Sequence, residues 1–437
     1  MADLRELALM LKSLEEQMVT CMRCGMCQAA CPIYAETGRE TDVARGKIVL
    51  LEHLSQEMLN DPKGVKQRLE NCLLCGSCAA ACPSGVKVLD LFLQARAIIN
   101  GYLGLPPAQR MVFRLLLARP ELFNSLVSMA SKFQGLFTKK ADELLGSSCA
   151  RFQAGPLKDR HFIPLADRPF HEQVPKLNEA AGKSGFRVAF FPGCLVDKVF
   201  PDVAGSVRRA LEYHDVGIYM PSGQACCGIP ALASGDRQAF MQLVRQNLKF
   251  FRNTDYQALV TPCATCTATI KEIWPMMGQF FTDREQEDIA RISEKTMDIT
   301  QFLADNCQCG PAGENPGKGI KLTYHDPCHL KKSLQVHQQP RTLLRANPDY
   351  EFTEMADADR CCGMGGSFGL KNYEISKKVG SRKLENILKS QAEVVCTACP
   401  ACMLQIVDLV SKSAAGIRVR HPVQVYAESL PEKQGPS

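Results

Sequence analysis

The sequence predicts a multidomain chain of class α + α/β: an α-helical N-terminal domain followed by two repeated α/β domains with parallel sheets. Three observations predict it. A cysteine run between Cys21 and Pro83 occurs twice; the residues around it carry helical rather than alternating apolar spacing; and from about residue 186 a pattern of strands, helices and cysteines is itself repeated. The expected boundaries are 1–100 for the helical domain, 101–185 for a helical connector and linker, 186–310 for the first repeated domain and 320–437 for the second.

Residues 1–20 place Leu4, Leu7, Leu11 and Leu14 at three-to-four spacing, which predicts one helix. The runs follow: Cys21, Cys24, Cys27 and Cys31-Pro32, then Cys72, Cys75, Cys78 and Cys82-Pro83. This spacing, closed by Cys-Pro, is the run that holds a cubane [4Fe–4S] cluster, and in two-cluster ferredoxins the fourth cysteine serves the other cluster. The expected ligand sets are Cys21, Cys24, Cys27 and Cys82 for one cluster, and Cys72, Cys75, Cys78 and Cys31 for the other. A zinc site needs only four ligands and has no use for a third close cysteine and a Cys-Pro. Between the runs, Asp42 is placed to cap a helix bearing Val43, Ile48, Leu50, Leu51 and Leu54. A helix over 89–99 is expected to stop at Asn100-Gly101. Arg23, Arg45 and Lys47 would raise a cluster potential if the fold brings them close.

Helices over 110–117 and 121–137 are expected to be parted by Pro120, and 154–185 reads as linker. Met111, Phe113, Leu126, Met129, Phe133 and Phe137 either pack over the helical domain or form a surface for a partner subunit or a membrane.

The second half is an internal duplication. A strand at 187–191 leads to Cys194, a strand at 216–220 precedes Cys226-Cys227-Gly228, and a strand at 258–261 leads to Cys263 and Cys266. In the second copy, 321–325 leads to Cys328, 351–355 precedes Cys361-Cys362-Gly363, and 392–395 leads to Cys396 and Cys399. Cys328 follows Cys194 by 134 residues, Cys361 follows Cys226 by 135, and Cys396 follows Cys263 by 133. Alternating strands and helices imply parallel sheets, whose ligands gather at the carboxyl ends of the strands. Five thiols per copy exceed what tetrahedral zinc uses, so an enlarged iron–sulfur cluster leads, with zinc in one or both copies as the competing reading.

The 22 cysteines stand against an otherwise ordinary composition. The N-terminus has no secretory pattern, so metal binding explains the thiols better than disulfides, and a cytoplasmic location is expected. No apolar run is long enough to span a bilayer. The formal charge of +6 falls to about +2 once two four-thiolate clusters of about −2 each are counted, so it does not argue for nucleic acid. There is no Gly-x-Gly-x-x-Gly and no phosphate loop for flavin, nicotinamide or ATP. The chain can carry electrons but is not expected to take a hydride from an alcohol unaided, and no catalytic residue is assigned.

On these motifs the chain resembles the iron–sulfur subunits of glycolate and D-lactate dehydrogenases, within the wider heterodisulfide reductase-like family whose catalytic (D-type) chains carry duplicated CCG domains. CMRCGMCQAACPIYAETGRETDVARGKIVLL and CLLCGSCAAACPSGVKVLDL carry the first likeness, and YHDPCHL and RCCGMGGSFGL the wider one. The resemblance implies that Cys194, Cys226, Cys227, Cys263 and Cys266, and again Cys328, Cys361, Cys362, Cys396 and Cys399, match the pattern that binds a noncubane [4Fe–4S] cluster. It also implies electron transfer from an FAD-containing 2-hydroxy-acid dehydrogenase subunit to a quinone or other acceptor. Peripheral contact with the inner face of the cell membrane would fit that acceptor. Both cysteine patterns are complete here, whereas glycolate-type subunits often have eroded copies, so a heterodisulfide-reducing catalytic subunit is the alternative. Cys149, Cys307, Cys309 and Cys402 fall outside the patterns; Cys402 is expected to line a cluster wall. His325 and His329 flank Cys328, either orienting the loop or relaying protons.

Overall fold

The computed structural model describes residues 4–152, 159–307, 309 and 319–431. The chain forms two compact units that do not follow it in simple blocks. The first comprises Met1–Ala118, Gly228–Val244 and Gly363–Val379; the second comprises Arg119–Cys227, Arg245–Cys362 and Gly380–Ser437.

The first unit is helical, as its apolar spacing demands. The leading segment forms two helices, Leu4–Lys12 and Glu15–Val19, where one was expected. Ser13 breaks it: its hydroxyl donates to the Met10 carbonyl, a local bond that competes with helix continuation. Leu7, Leu11 and Leu14 are buried on one side. Helix Ala44–Ser55 buries Ile48, Leu51 and Leu54. Asp42 does not cap it. The residue lies buried in a preceding turn, Glu40–Asp42, with Arg68 and Asn71 near its carboxylate. Helix Pro62–Glu70 starts with proline in its first turn, and the Asp61 carboxylate accepts from Gly64 N at 2.8 Å. Helix Val88–Leu103 runs past the expected stop at Asn100-Gly101. Asn100 is buried there and donates to the Ser234 carbonyl at 3.1 Å, so tertiary pairing overrides a local stop signal. The chain returns so closely that a Cβ on Gly235 would collide with Asn100 Nδ2 and stand 2.6 Å from the Arg96 carbonyl.

Among its described residues the second unit holds three sheets. Strands β1 (Thr138–Asp142), β2 (Ser147–Ala150) and β3 (His161–Phe162) form an antiparallel sheet in that order. The stretch expected to be linker thus contributes β3, helix Phe170–Gln173 and β4 (Leu177–Asn178), while residues 153–158 lie outside the described residues. The first repeated sheet adds β5 (Arg187–Phe190), β6 (Gly217–Met220), β7 (Ala258–Thr261) and β8 (Thr296–Asp298), in the order β4-β6-β5-β7-β8. Only β4 is antiparallel. The second contains β9 (Ile320–Tyr324), β10 (Tyr350–Phe352), β11 (Val394–Cys396) and β12 (Arg418–Arg420), in the order β10-β9-β11-β12 and wholly parallel.

The orders β6-β5-β7-β8 and β10-β9-β11-β12 are the same, which confirms the duplication. Val188, Ala189 and Phe190 of β5 are fully buried, as a strand covered on both faces requires. Val188, Phe190, Val260 and Phe302 of the first copy share one core with Leu343, Met403 and Tyr426 of the second.

In each sheet the order reverses at the first strand of the copy, β5 or β9. Such a reversal is the place where open α/β sheets bind ligands, beyond the carboxyl ends of the strands. No helix among the described residues is long and apolar enough to cross a membrane.

Candidate metal centres

In the first unit the two cysteine runs fold alike because the same positions leave ordinary backbone space. Arg23 (φ 57°) and Gly25 (φ 89°) of the first run correspond to Leu74 (φ 52°) and Gly76 (φ 71°) of the second. Each glycine precedes a short helix, Met26–Ala30 or Ser77–Ala80. Left-handed residues that are not glycine are strained, and such strain collects where a loop is shaped around a ligand.

Cys31 of the first run joins Cys72, Cys75 and Cys78 of the second around one cavity, with Lys47 and Phe92 also in its wall. Burial pushes the Cys31 thiol up to about 11, with Cys72 and Cys75 adding to the rise. Burial raises Cys78 well above the usual range in the same company. Two cations are buried beside these thiols. Lys47 is 1% exposed and donates to the Asp42 carbonyl, with Cys72 and Cys31 near its ammonium. Arg96 donates to the carbonyls of Leu69 (2.5 Å), Cys72 (3.0 Å) and Ala233 (2.8 Å). Arg45 lies by the first run, donating to the Arg23 carbonyl at 3.2 Å, whereas the Arg23 guanidinium pairs with Glu52. Buried positive charge next to thiols that burial keeps protonated is the environment a thiolate-bound, negatively charged cluster needs.

The second unit gathers the thiols of both copies. Strand register corrects one expected correspondence. Phe190 pairs with Val260 and Tyr324 pairs with Cys396, so Cys396 stands where the first copy has Val260. Cys399 and Cys402 therefore take the places of Cys263 and Cys266. The helix starts agree: Cys263 precedes Ala264–Ala268 and Cys399 precedes Pro400–Ser413. Cys396 is in the core with Leu322, Tyr324, Leu344 and Val425, and burial pushes it up to about 12. Cys396-Thr-Ala-Cys399 and Cys399-Pro-Ala-Cys402 have the same spacing, and only the register separates them.

The side chains then form one run of thiols. Cys194 lies 3.9 Å from Cys226. Cys266 interacts with Cys227 and Cys263, Cys263 with Cys399, and Cys399 with Cys402. Cys402 Sγ is 3.4 Å from Cys362 Sγ, and Cys361 neighbours Cys362. Hydrogen bonds from Cys361 and Cys402 hold Cys362 well below the usual thiol range, and bonds from Cys263 and Cys402 do the same for Cys399. Cys402, hydrogen-bonded with Cys362 and Cys399, is raised well above it. Thiols packed this closely cannot all ionise side by side unaided, and a bound metal would let them. The donor set fits an iron–sulfur group.

The loops are held from outside. Asn247 accepts from Ala225 N at 2.8 Å and donates to the Cys226 carbonyl at 3.1 Å, and Trp274 Nε1 donates to the Cys227 carbonyl at 2.9 Å. In the second copy Lys383 donates to the carbonyls of Asp357 (2.6 Å) and Ala358 (3.1 Å), with Cys362, Cys328 and Cys361 nearby. Sequence reasoning missed three buried residues in this region, Asp298, Tyr324 and His421. Burial, with Cys399 adding to it, pushes Asp298 up to about 7, and burial pulls His421 down to about 3. Isolated letters in three separate segments gave no signal of this. Cys149 lies in β2, and Cys309 donates to the Leu303 carbonyl at 3.2 Å and lies 3.1 Å from the Tyr426 hydroxyl, apart from either pattern.

Comparison with known proteins agrees with this arrangement. Residues 17–86 match the 4Fe-4S dicluster domain family, and residues 188–271 and 322–407 each match the cysteine-rich (CCG) domain family. The chain is 31% identical over 403 residues to the probable glycolate oxidase iron-sulfur subunit of Bacillus subtilis, covering 90% of this chain and 89% of that protein. It is 29% identical over 412 residues to a subunit of the fumarate reductase (CoM/CoB) of Methanothermobacter marburgensis, covering 91% and 69%. It is 31% identical over 239 residues to lactate utilization protein A of Oceanobacillus iheyensis, covering 55% and 96%. The chain belongs to the glycolate oxidase iron–sulfur subunit family, oxidoreductase subunits that join a 4Fe–4S dicluster domain to two CCG domains.

Proposed function

We propose that this chain is the electron-transfer subunit of a 2-hydroxy-acid dehydrogenase acting on D-lactate or glycolate. It receives electrons from a partner FAD protein and delivers them to a quinone or other acceptor. One observation carries the reading: a thiol-lined cavity drawn from both cysteine runs, with Lys47 and Arg96 buried beside it. Two [4Fe–4S] clusters, held by Cys21, Cys24, Cys27 and Cys82 and by Cys72, Cys75, Cys78 and Cys31, would supply one-electron chemistry there. The buried cations favour the extra negative charge of a reduced cluster. Helix Pro120–Phe137 leaves Met129, Phe133, Leu136 and Phe137 more than half exposed, a face suited to a partner subunit or the inner leaflet. The test is co-expression with the flavoprotein partner. Substrate-driven reduction of a dye should require both chains and should bleach the iron–sulfur absorbance of this one. If the flavoprotein turns over equally well without this chain, the proposal is wrong.

A second reading is favoured by the continuity of the thiols across the two copies, from Cys227 through Cys266, Cys263, Cys399 and Cys402 to Cys361. On this reading the chain is itself a heterodisulfide reductase-like catalyst, in which two electrons and two protons convert a disulfide into two thiols. Turnover of a heterodisulfide by the isolated chain with a chemical reductant would favour it over the first.

A further inference from the structure

His325 follows β9 in the position that Phe191 occupies after β5, and both side chains are fully buried. The fold therefore accepts an apolar ring here, and the imidazole needs a separate reason. Its position is fixed. The backbone N of His325 donates to the Cys396 carbonyl at 2.8 Å, and that of Asp326 donates to the Ala358 carbonyl at 2.9 Å. His325 Nδ1 lies 3.2 Å from the same Ala358 oxygen. A carbonyl can only accept, so Nδ1 carries the proton and Nε2 presents a bare lone pair.

Nε2 is buried and has no hydrogen-bond partner. It lies with Cys362 Sγ and Cys402 Sγ in a fully buried group whose three ligand atoms are all within 4.8 Å of one another. The two sulfurs are 3.4 Å apart, close to the roughly 3.7 Å between thiolates bound at about 2.3 Å to one tetrahedral metal. An imidazole that donates one N–H to a backbone carbonyl and turns its other nitrogen toward thiols has the arrangement of a metal ligand. Apart from the neighbouring Cys362 sulfur, this buried nitrogen has nothing to satisfy it.

We propose that His325 Nε2 ligates iron of the group held by the second copy, beside Cys362 and Cys402. This rests on the reading that the second unit holds iron and sulfide. The copies then differ in kind: all-sulfur donors in the first, mixed nitrogen and sulfur in the second. The imidazole is a neutral donor added to five cysteines, and an anionic thiolate in its place would lower the potential of that centre.

The test uses anaerobically reconstituted full-length protein, reduced in steps, in wild-type form and as H325F and H325C. H325F copies the first-copy residue and H325C supplies a thiolate. Pulsed paramagnetic resonance of wild-type protein grown with 15N-histidine should show a nitrogen coupling of directly bound imidazole that changes with the label and disappears in both variants. H325C should keep full iron and sulfide while lowering the reduction equilibrium of that centre at least tenfold, or about 59 mV for one electron. No label-sensitive coupling in a sample whose iron and sulfide exceed two cubanes overturns the ligand assignment alone. Iron and sulfide that stop at two cubanes, or zinc in the second copy, overturn the underlying reading with it.

Discussion

Single residues decide which thiols belong to the site. Cys396 and Cys402 are both buried cysteines in the same short segment, yet one lies in a strand among aliphatic side chains and the other touches Cys362 and Cys399. Cys402→Ser should therefore remove iron and sulfide from the second copy. Cys396→Ser should leave metal content unchanged and cost about 1–3 kcal/mol of stability, because it buries a hydroxyl in an apolar core. Elemental and sulfide analysis beside anaerobic melting separates the two. Asp298 sets a pH dependence. Its carboxyl is raised from 3.8 to about 7, so between those values the folded state holds a proton that the unfolded state has lost. Stability from this group is thus fully present below about pH 4 and falls as the pH rises toward 7. Asp298→Asn should match wild type near pH 4 and exceed it at pH 8. A difference that stays flat across that range in urea titrations would contradict this.

At the scale of elements, the loops after each strand are shaped by backbone that a side chain would obstruct. Gly228, after the Cys226-Cys227 pair, has φ 98°, and a Cβ there would meet Phe240 Cδ2 at 2.7 Å. Gly228→Ala should cost roughly 2 kcal/mol or more, from left-handed strain together with the clash. Gly101 is the control. It lies inside helix Val88–Leu103 with open space around its Cα, so Gly101→Ala should raise stability by about 0.5–1 kcal/mol. Paired denaturation curves read both. The same helix shows why boundaries were harder to read than elements. Asn100-Gly101 is a sound local stop signal, but Asn100 finds the Ser234 carbonyl, 134 residues away in the chain, and the helix continues.

For the whole molecule, metal and fold are linked. At least seven of the second unit's thiols are buried in one run, and without a cation most of them must stay protonated at a cost in hydrogen bonding. A group that binds only the folded chain adds its binding free energy to stability. Anaerobic removal of iron should lower the melting temperature by roughly 10 °C, taking about 4 kcal/mol at about 2–4 °C per kcal/mol. Reconstitution should restore it. A melting temperature indifferent to metal would mean that the thiols pack without one.

The ferredoxin-like runs, the duplication and the α + α/β class were all legible in the sequence, because each is written in local spacing: cysteine intervals, apolar periodicity and a repeat near 134 residues. A metal-binding loop must be short, so its ligands are near neighbours in the chain. Tertiary structure alone decided the rest. Strand register chose Cys402 over Cys396, and the pairing of β9 with β11 brought His325 to Cys362 and Cys402. Parallel strands bring together residues separated by whole helices, and no local pattern records which of two equally spaced cysteines ends at the crevice and which in the core.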